Sequence, residues 1–237
     1  MTQQRKTSKK SPSLSLSESD LRLVQLKQSQ TEYLEKIMKN EVTFCYGPAG
    51  TSKTFTACLA ALKLYLNGDI KKIILTKPIQ ESGEKLGFLP GDVKEKIDPF
   101  MESYRSNLVK LLKDAHLVSW LESMGVIEFR PLAYMRGATF DHTLMILDEA
   151  QNADFKQLML FITRMGKDSK VLICGDVSQY DIAKSKVALP DFINLLDGIS
   201  GLGIHTFKDE DIVRNKILIQ ITGRYEKWKS VNPNRLN

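Results

Sequence analysis

Gly47-Pro48-Ala49-Gly50-Thr51-Ser52-Lys53-Thr54 has the residue types and order needed to hold a phosphate. Small residues let backbone N–H groups turn inward around phosphate oxygens. Lys53 can reach the terminal phosphates, and the Thr54 hydroxyl can hold magnesium. The segment follows an apolar run, Val42–Tyr46, and opens into Phe55–Leu62, which has helical composition. Strand, loop and helix is the context a P-loop requires, because a helix N-terminus favours anions. One position departs from the pattern GxxxxGK followed by Ser or Thr: Ser52 stands where a glycine is expected. If the backbone there takes a positive φ, a serine costs strain.

Two more strand ends carry chemistry. The apolar run Leu144–Leu147 ends at Asp148-Glu149. This reads as a Walker B element, the first acid serving magnesium and the second orienting and deprotonating the attacking water. The same pair would also suit a helix N-terminus, where acids are favoured. Another strand ends at Gly175-Asp176, and Gln179 follows. An amide there can touch a terminal phosphate or its water, although an Asp turn after a strand is a common structural feature. Phosphoryl transfer usually needs a further cation on the developing charge. The arginine candidates are Arg130, Arg136, Arg164 and Arg214, all equally readable as solvated surface charge. Gln30, before the P-loop, can be an adenine-reading amide or simply a glutamine at a helix start.

These residues need a frame. Short apolar strands are expected at Val42–Tyr46, Lys72–Thr76, Val126–Phe129, Thr143–Leu147, Lys170–Cys174 and Gly203–Phe207. Helices are expected from about Ser29, over Lys53–Leu66, through most of 92–124, and over Asp154–Met165, Pro190–Ile199 and Asn215–Lys229. Pro131–Gly137 reads as a connector or a short helix, and Ser19–Lys27 has mixed periodicity. Strands alternating with helices predict an α/β domain: a mostly parallel sheet with helices on both faces. Ligands in such sheets bind at the carboxyl ends of strands, where all three motifs lie. The Gly- and Pro-containing stretch Lys77–Gly91 is long for a loop, which marks it as functional.

The bulk numbers set bounds. The chain has 237 residues, 42% hydrophobic and 26% charged, which suits one large soluble domain over 19–237. The net charge is +6, but Arg5, Lys6, Lys9 and Lys10 supply +4 of it from an acid-free, Ser- and Lys-rich stretch. Residues 1–18 are therefore expected to be a disordered basic arm, and the body is not strongly basic. No apolar run approaches the ~20 residues of a membrane span, and the N-terminus lacks the apolar core of a signal peptide. Cys45, Cys58 and Cys174 sit in apolar contexts without metal-ligand spacing. They read as small buried hydrophobes in a reducing compartment.

From Gln28 to Trp228 the sequence resembles the PhoH family, P-loop ATPases related to the first domain of superfamily 1 helicases. The resemblance rests on an ordered set of runs: Gly47–Thr54, Ile73–Pro78, Gly83–Gly91, Pro131–Gly137, Leu147–Asn152, Thr163–Gly166, Gly175-Asp176 with Gln179 and Asp181, and Asp211–Arg214. It implies a RecA-like fold and an ATPase that uses ATP and Mg²⁺. Lys53 would lie on phosphates, Thr54 and Asp148 on magnesium, and Glu149 would be the base. Gln30 would read adenine and Gln179 would sense the γ-phosphate. The region Thr76–Gly91 corresponds to a nucleic-acid contact, with RNA or another single strand as partner. Ser52 and Lys77 depart from the family's glycine and arginine. Helicase relatives clamp ATP between two domains, so a neighbouring subunit would supply an arginine here: Arg164 or Arg214, then Arg136. That predicts a homo-oligomeric ring, a hexamer. The resemblance also implies the cytoplasm, bacterial or phage-infected, and a short chain suits a phage version. Helicase activity is left open. Two other readings stand beside the ATPase: a nucleotide-regulated binding module with hydrolysis weakened by Ser52, and a ribonuclease, for which no second acidic cluster is evident.

Overall fold

A computed structural model describes residues 16–78, 93–176, 187–213 and 216–232. The strands are β1 (Val42–Tyr46), β2 (Lys72–Thr76), β3 (Ile127–Phe129), β4 (Thr143–Leu147), β5 (Lys170–Gly175) and β6 (Leu202–Thr206). They form one sheet in the order β3-β2-β4-β5-β1-β6, and every pairing is parallel. The helices are α1 (Gln28–Lys39), α2 (Lys53–Leu66), α3 (Val93–Leu112), α4 (Ala115–Ser123), α5 (Phe155–Ile162), α6 (Leu189–Leu196) and α7 (Lys216–Val231).

Side chains alternate across the sheet and divide the core in two. Cys45, Ile73, Leu75, Leu144, Ile146, Leu172 and Cys174 point to the face covered by α1, α2, α3 and α4. Phe44, Ile74, Met145, Leu147, Val171 and Ile173 point to the face covered by α5 and α6. A parallel sheet must be covered on both sides, and that is why its strands are almost continuously apolar. Helix α2 lies innermost: Thr56 to Leu62 and Leu64 are all buried. A helix apolar all round is one enclosed by others, here by the sheet, α1 and α3. All three cysteines are free and buried, as their apolar contexts predicted.

Local chemistry explains where the elements stop. The expected helical stretch 92–124 is two helices. Lys113 takes a left-handed φ of 55°, and Asp114 then caps α4 by accepting from the N–H groups of His116 (2.7 Å) and Leu117 (3.3 Å). Such a cap satisfies orphan donors at a helix start. Helix α5 begins with a reciprocal box: Asp154 accepts from Gln157 N–H and Gln157 Oε1 from Asp154 N–H, both at 2.9 Å. It ends at Ile162, short of the expected Met165, because the chain turns so that Arg164 and Gly166 pair with Phe140. The segment of mixed periodicity before α1 is a single turn, Glu18–Asp20, and then extended chain whose Leu21, Val24 and Leu26 pack on the α2–α3 core. Pro131–Gly137 contains a short 3₁₀ turn at Leu132–Met135. Most of the expected basic arm and of the stretch Lys77–Gly91 lies outside the described residues, as do Gln179, Asp181 and Arg214.

Candidate nucleotide site

The P-loop leaves the carboxyl end of β1. Its first residue, Gly47, has φ 144°, and a Cβ there would collide with the carbonyl oxygen of Phe207. Only glycine fits both the conformation and the space. Thr51 is fully buried and donates to Pro48 O at 3.1 Å, closing the loop from within. Gly50 O accepts from Val213 N–H at 2.8 Å, so the segment after β6 braces the loop from outside. Ser52 has φ 68° and ψ 30°, a left-handed residue immediately before α2. The conditional expectation from sequence is therefore met: the backbone does need a positive φ where glycine is usual. Serine there costs about 1 kcal/mol.

Lys53 folds back over the loop, its Nζ donating to Gly47 O at 2.7 Å and Pro48 O at 2.9 Å. Thr54 and Asp148 meet across the sheet, Thr54 Oγ1 donating to Asp148 Oδ2 at 2.7 Å. Their strands are not neighbours. β5 lies between β1 and β4, so the pair closes a gap of roughly 9–10 Å between strand axes. Lys77 Nζ lies 3.9 Å from the same Oδ2 and donates to Ser103 Oγ at 2.7 Å. A hydroxyl and one carboxylate are hard oxygen donors. Together with phosphates they suit Mg²⁺, which takes one or two carboxylates and keeps waters. Among the described residues no cluster of three or more His, Cys, Asp or Glu could hold a metal by protein ligands alone. The donor set thus fits a metal brought with a nucleotide, which Thr54 and Asp148 would hold.

Glu149 is also left-handed, with φ 55° and ψ 36°. It opens onto the cleft, while Asp148 beside it is 3% exposed. Partial desolvation first, and the Asp148 charge second, hold the Glu149 pKa above the usual carboxylate range; the Gln151 amide, Lys77 and Lys53 pull the other way. A carboxylate raised in this manner is better matched to proton transfer near neutral pH.

The cleft has a volume of about 630 Å³. P-loop residues, Phe55, Asp148, Glu149, Gln151, Asp176 and Val213 line it, and Asn107 and Lys110 of α3 complete it. It therefore gathers Ala49, Gly50, Ser52, Lys53, Thr54, Asp148 and Glu149 from the sequence prediction. Gly47, Pro48 and Thr51 shape the loop without lining the cleft, and Gln30, Arg130, Arg136 and Arg164 lie outside its lining. Gln30 is 6% exposed and does not line the cleft. Its Oε1 accepts from Lys27 N–H at 3.0 Å at the start of α1, and its Nε2 approaches Thr51 O at 3.5 Å. It supports the loop from behind. To read adenine it would have to exchange those contacts. Arg164 follows α5, on the way back to the start of β5, at the end of the sheet opposite the cleft. It donates to Ala138 O at 3.2 Å. Arg136 is exposed beyond the turn at Leu132–Met135. Neither lines the cleft of its own chain. Sequence reasoning gave no site role to Gln151, Asn107 or Lys110, and it marked Asp176 only as part of the strand end Gly175-Asp176. Gln151 had a signal, since it lies three residues after Asp148. Asn107 and Lys110 had none, being polar positions on an amphipathic helix.

A parallel α/β sheet with a glycine-containing P-loop after β1 and an acidic pair just past β4 is the architecture of a RecA-like P-loop NTPase fold. The fold comparison agrees. The large terminase of a thermophilic bacteriophage superposes with a TM-score of 0.51 over 84% of this chain and 49% of that one, at 13% identity. A structure of the same terminase in complex with ADP gives 0.50. Residues 22–226 match the model of the family described as PhoH-like protein, and the chain belongs to that family. The PhoH-like protein of Bacillus subtilis (strain 168) is 45% identical over 84% of this chain and 62% of its own length. Protein PhoH of Escherichia coli (strain K12) is 35% identical over 80% and 54% respectively. The chain thus spans a little over half to six-tenths of the length of these relatives. No helix among the described residues is long and apolar enough to cross a membrane.

Proposed function

We propose that this chain binds and hydrolyses ATP with Mg²⁺ and couples the hydrolysis to a single-stranded nucleic acid, RNA above all. The observation that carries the reading is the 2.7 Å contact between Thr54 and Asp148, with Glu149 beside it and Lys53 over the loop. Bound magnesium would neutralise phosphate charge. Thr54 and Asp148 would hold it, Lys53 would exchange its loop carbonyls for phosphate oxygens, and Glu149 would orient and deprotonate water. A protein that only held nucleotide would need no base in that place.

The functional unit in this reading is a homo-oligomeric ring, a hexamer, in the bacterial or phage-infected cytoplasm. Its support is the cleft itself: among the described residues no arginine lines it, and Arg164 is held at the far end of the sheet. An arginine from a neighbouring copy, Arg164, Arg214 or Arg136, would complete it. Lys110 is a competing cation from the same chain. Gln179 is proposed as the γ-phosphate sensor and Gln30 as an adenine contact.

A second reading has its own observation. Ser52 is strained at φ 68°, and a loop reluctant to adopt its phosphate-bound shape would hold ATP as a state signal with little turnover. Phosphate release with and without RNA, for wild type, Ser52→Gly and Glu149→Gln, separates the two. The ATPase reading expects turnover stimulated by RNA and a loss of about 10²–10⁴-fold in Glu149→Gln. Intact ATP binding with turnover only in Ser52→Gly would select the binding module. Sedimentation as a monomer with full activity would exclude the ring.

A further inference from the structure

We propose that Gln151 is the positioning residue that fixes the Glu149 carboxylate in its working orientation. The proposal rests on the reading of Glu149 as the hydrolytic base.

Gln151 is 4% exposed, and both ends of its amide are engaged. Oε1 accepts from Asp176 N–H at 2.9 Å, and Nε2 donates to Glu149 Oε2 at 2.8 Å. The first bond decides the second. A backbone N–H can only donate, so the amide oxygen must face Asp176 and the NH₂ must face the carboxylate. The rotamer is therefore not free to flip. β4 and β5 are neighbours, paired in register at Leu147 and Ile173, so the loops that leave them lie side by side. Gln151 spans the two loops. It anchors the carboxylate end of Glu149 to the backbone at the end of β5, a rigid central strand.

The surroundings are shaped for this bridge. A Cβ on residue 175 would meet the Leu189 side chain at 2.5 Å first, and would lie 3.1 Å from Gln151 Oε1 and 3.2 Å from its backbone nitrogen. Gly175 leaves that space open. The short turn Ala150–Asn152, closed by Asn152 N–H to Glu149 O at 3.0 Å, brings Gln151 back beneath Glu149. Glu149 is itself left-handed and open to the cleft, so its carboxylate would otherwise sample several rotamers. With Oε2 held, Oε1 is left to face the cleft and take a proton from water. Holding a catalytic group within a few tenths of an ångström is worth large factors in rate.

A purely structural tie between two loops would use the same bonds, so the test must read the chemistry. Steady-state ATP hydrolysis with Mg²⁺, with and without single-stranded RNA, is compared for wild type, Gln151→Glu, Gln151→Met, Glu149→Gln and the double variant Glu149→Gln/Gln151→Met. Gln151→Glu keeps the acceptor for Asp176 N–H and so keeps the loop tie, but it cannot donate to Glu149 when ionised. The expected result is a fall in kcat of about 10- to 100-fold in both Gln151 variants. KM for ATP should stay near wild type, while the thermal midpoint of Gln151→Glu should fall, because it buries a carboxylate beside Glu149 and Asp148. In the Glu149→Gln background, Gln151→Met should change the residual rate by less than about twofold, because residues that act as one unit are not additive. Full wild-type kcat in Gln151→Met, or an undiminished further loss in the double variant, overturns the proposal while leaving Glu149 as the base. Wild-type turnover in Glu149→Gln, or no turnover by wild type, overturns the reading beneath it and the proposal with it.

Discussion

Ser52 and Glu149 share a backbone conformation and little else. Both are non-glycine residues with positive φ, 68° and 55°; Ser52 sits where the P-loop enters α2 and Glu149 where β4 hands over to its loop. Lys113, His142 and Asp168 share the conformation too, but none of them lines the cleft. At Ser52 the side chain has no role that the geometry reveals. The loop needs the left-handed turn, and glycine would give it at lower cost. At Glu149 the side chain is the purpose of the turn, since the conformation lifts the carboxylate from buried Asp148 toward the cleft. The strain at the first is incidental and removable. The strain at the second is tied to the proposed chemistry.

The largest test of that contrast is Glu149→Gly. It should relieve backbone strain and remove a desolvated charge, so the thermal midpoint should rise. Hydrolysis should fall by about 10²–10⁴-fold. A variant that is both less stable and fully active would break the comparison. Next comes Gly47→Ala, where a Cβ meets the Phe207 carbonyl and the φ is unfavourable. A loss of about 2–4 kcal/mol in urea unfolding is expected. Little loss would show that the loop has room to shift and that the strain at Ser52 can also relax.

Ser52→Gly should stabilise by about 0.5 kcal/mol or less, the relief being offset in part by glycine's greater unfolded-state entropy. For a domain of this size that raises the midpoint by roughly 2–4 °C per kcal/mol. Hydrolysis should not fall.

The pH dependence of Glu149→Gln is smaller. Folded Glu149 holds its proton more tightly than an unfolded glutamate, so its contribution to stability falls as pH rises through the carboxylate range. The variant should be more stable than wild type at pH 7, by less than about 1 kcal/mol because the open cleft screens the charge. The difference should vanish below the unfolded value of ~4.3. His205 gives the opposite sign behind the loop. Burial, then Lys36, lower its pKa, and it stacks on Tyr33 at 5.3 Å between centroids and meets Phe207 edge-on at 4.6 Å. Folding therefore excludes a proton, and stability should drop as pH falls below ~6.5. His205→Gln should flatten that slope in thermal melts between pH 7.5 and 5.5.

The strands were legible because a buried parallel sheet leaves apolar runs bounded by polar turns. β1, β2 and β4 fall at the positions the sequence suggests, and the other strands fall within a residue or so. The break between α3 and α4 was not legible, since the apolar period continues across Lys113 and only the Asp114 cap and the left-handed residue end it. In the cleft, Lys53, Thr54, Asp148 and Glu149 carried local signals, because phosphate and metal chemistry demand particular residues next to particular strand ends. Lys77 against Asp148, Lys110 across the cleft and Arg164 at the opposite end were not legible, because each depends on how distant elements pack.

The sequence by itself determined the parallel α/β class, the phosphate loop with its serine in place of glycine, and the acidic pair. Each is encoded by neighbouring residues whose types are forced by backbone geometry or by ligand chemistry. Tertiary structure alone decided that Thr54 and Asp148 meet across an intervening strand, that Ser52 is left-handed, and that Gln30 supports the loop rather than lining the cleft. It alone joined Gln151 to both Glu149 and Asp176. Those facts come from strand order and from chain segments that meet only after the sheet has assembled, and no local pattern in the sequence records them.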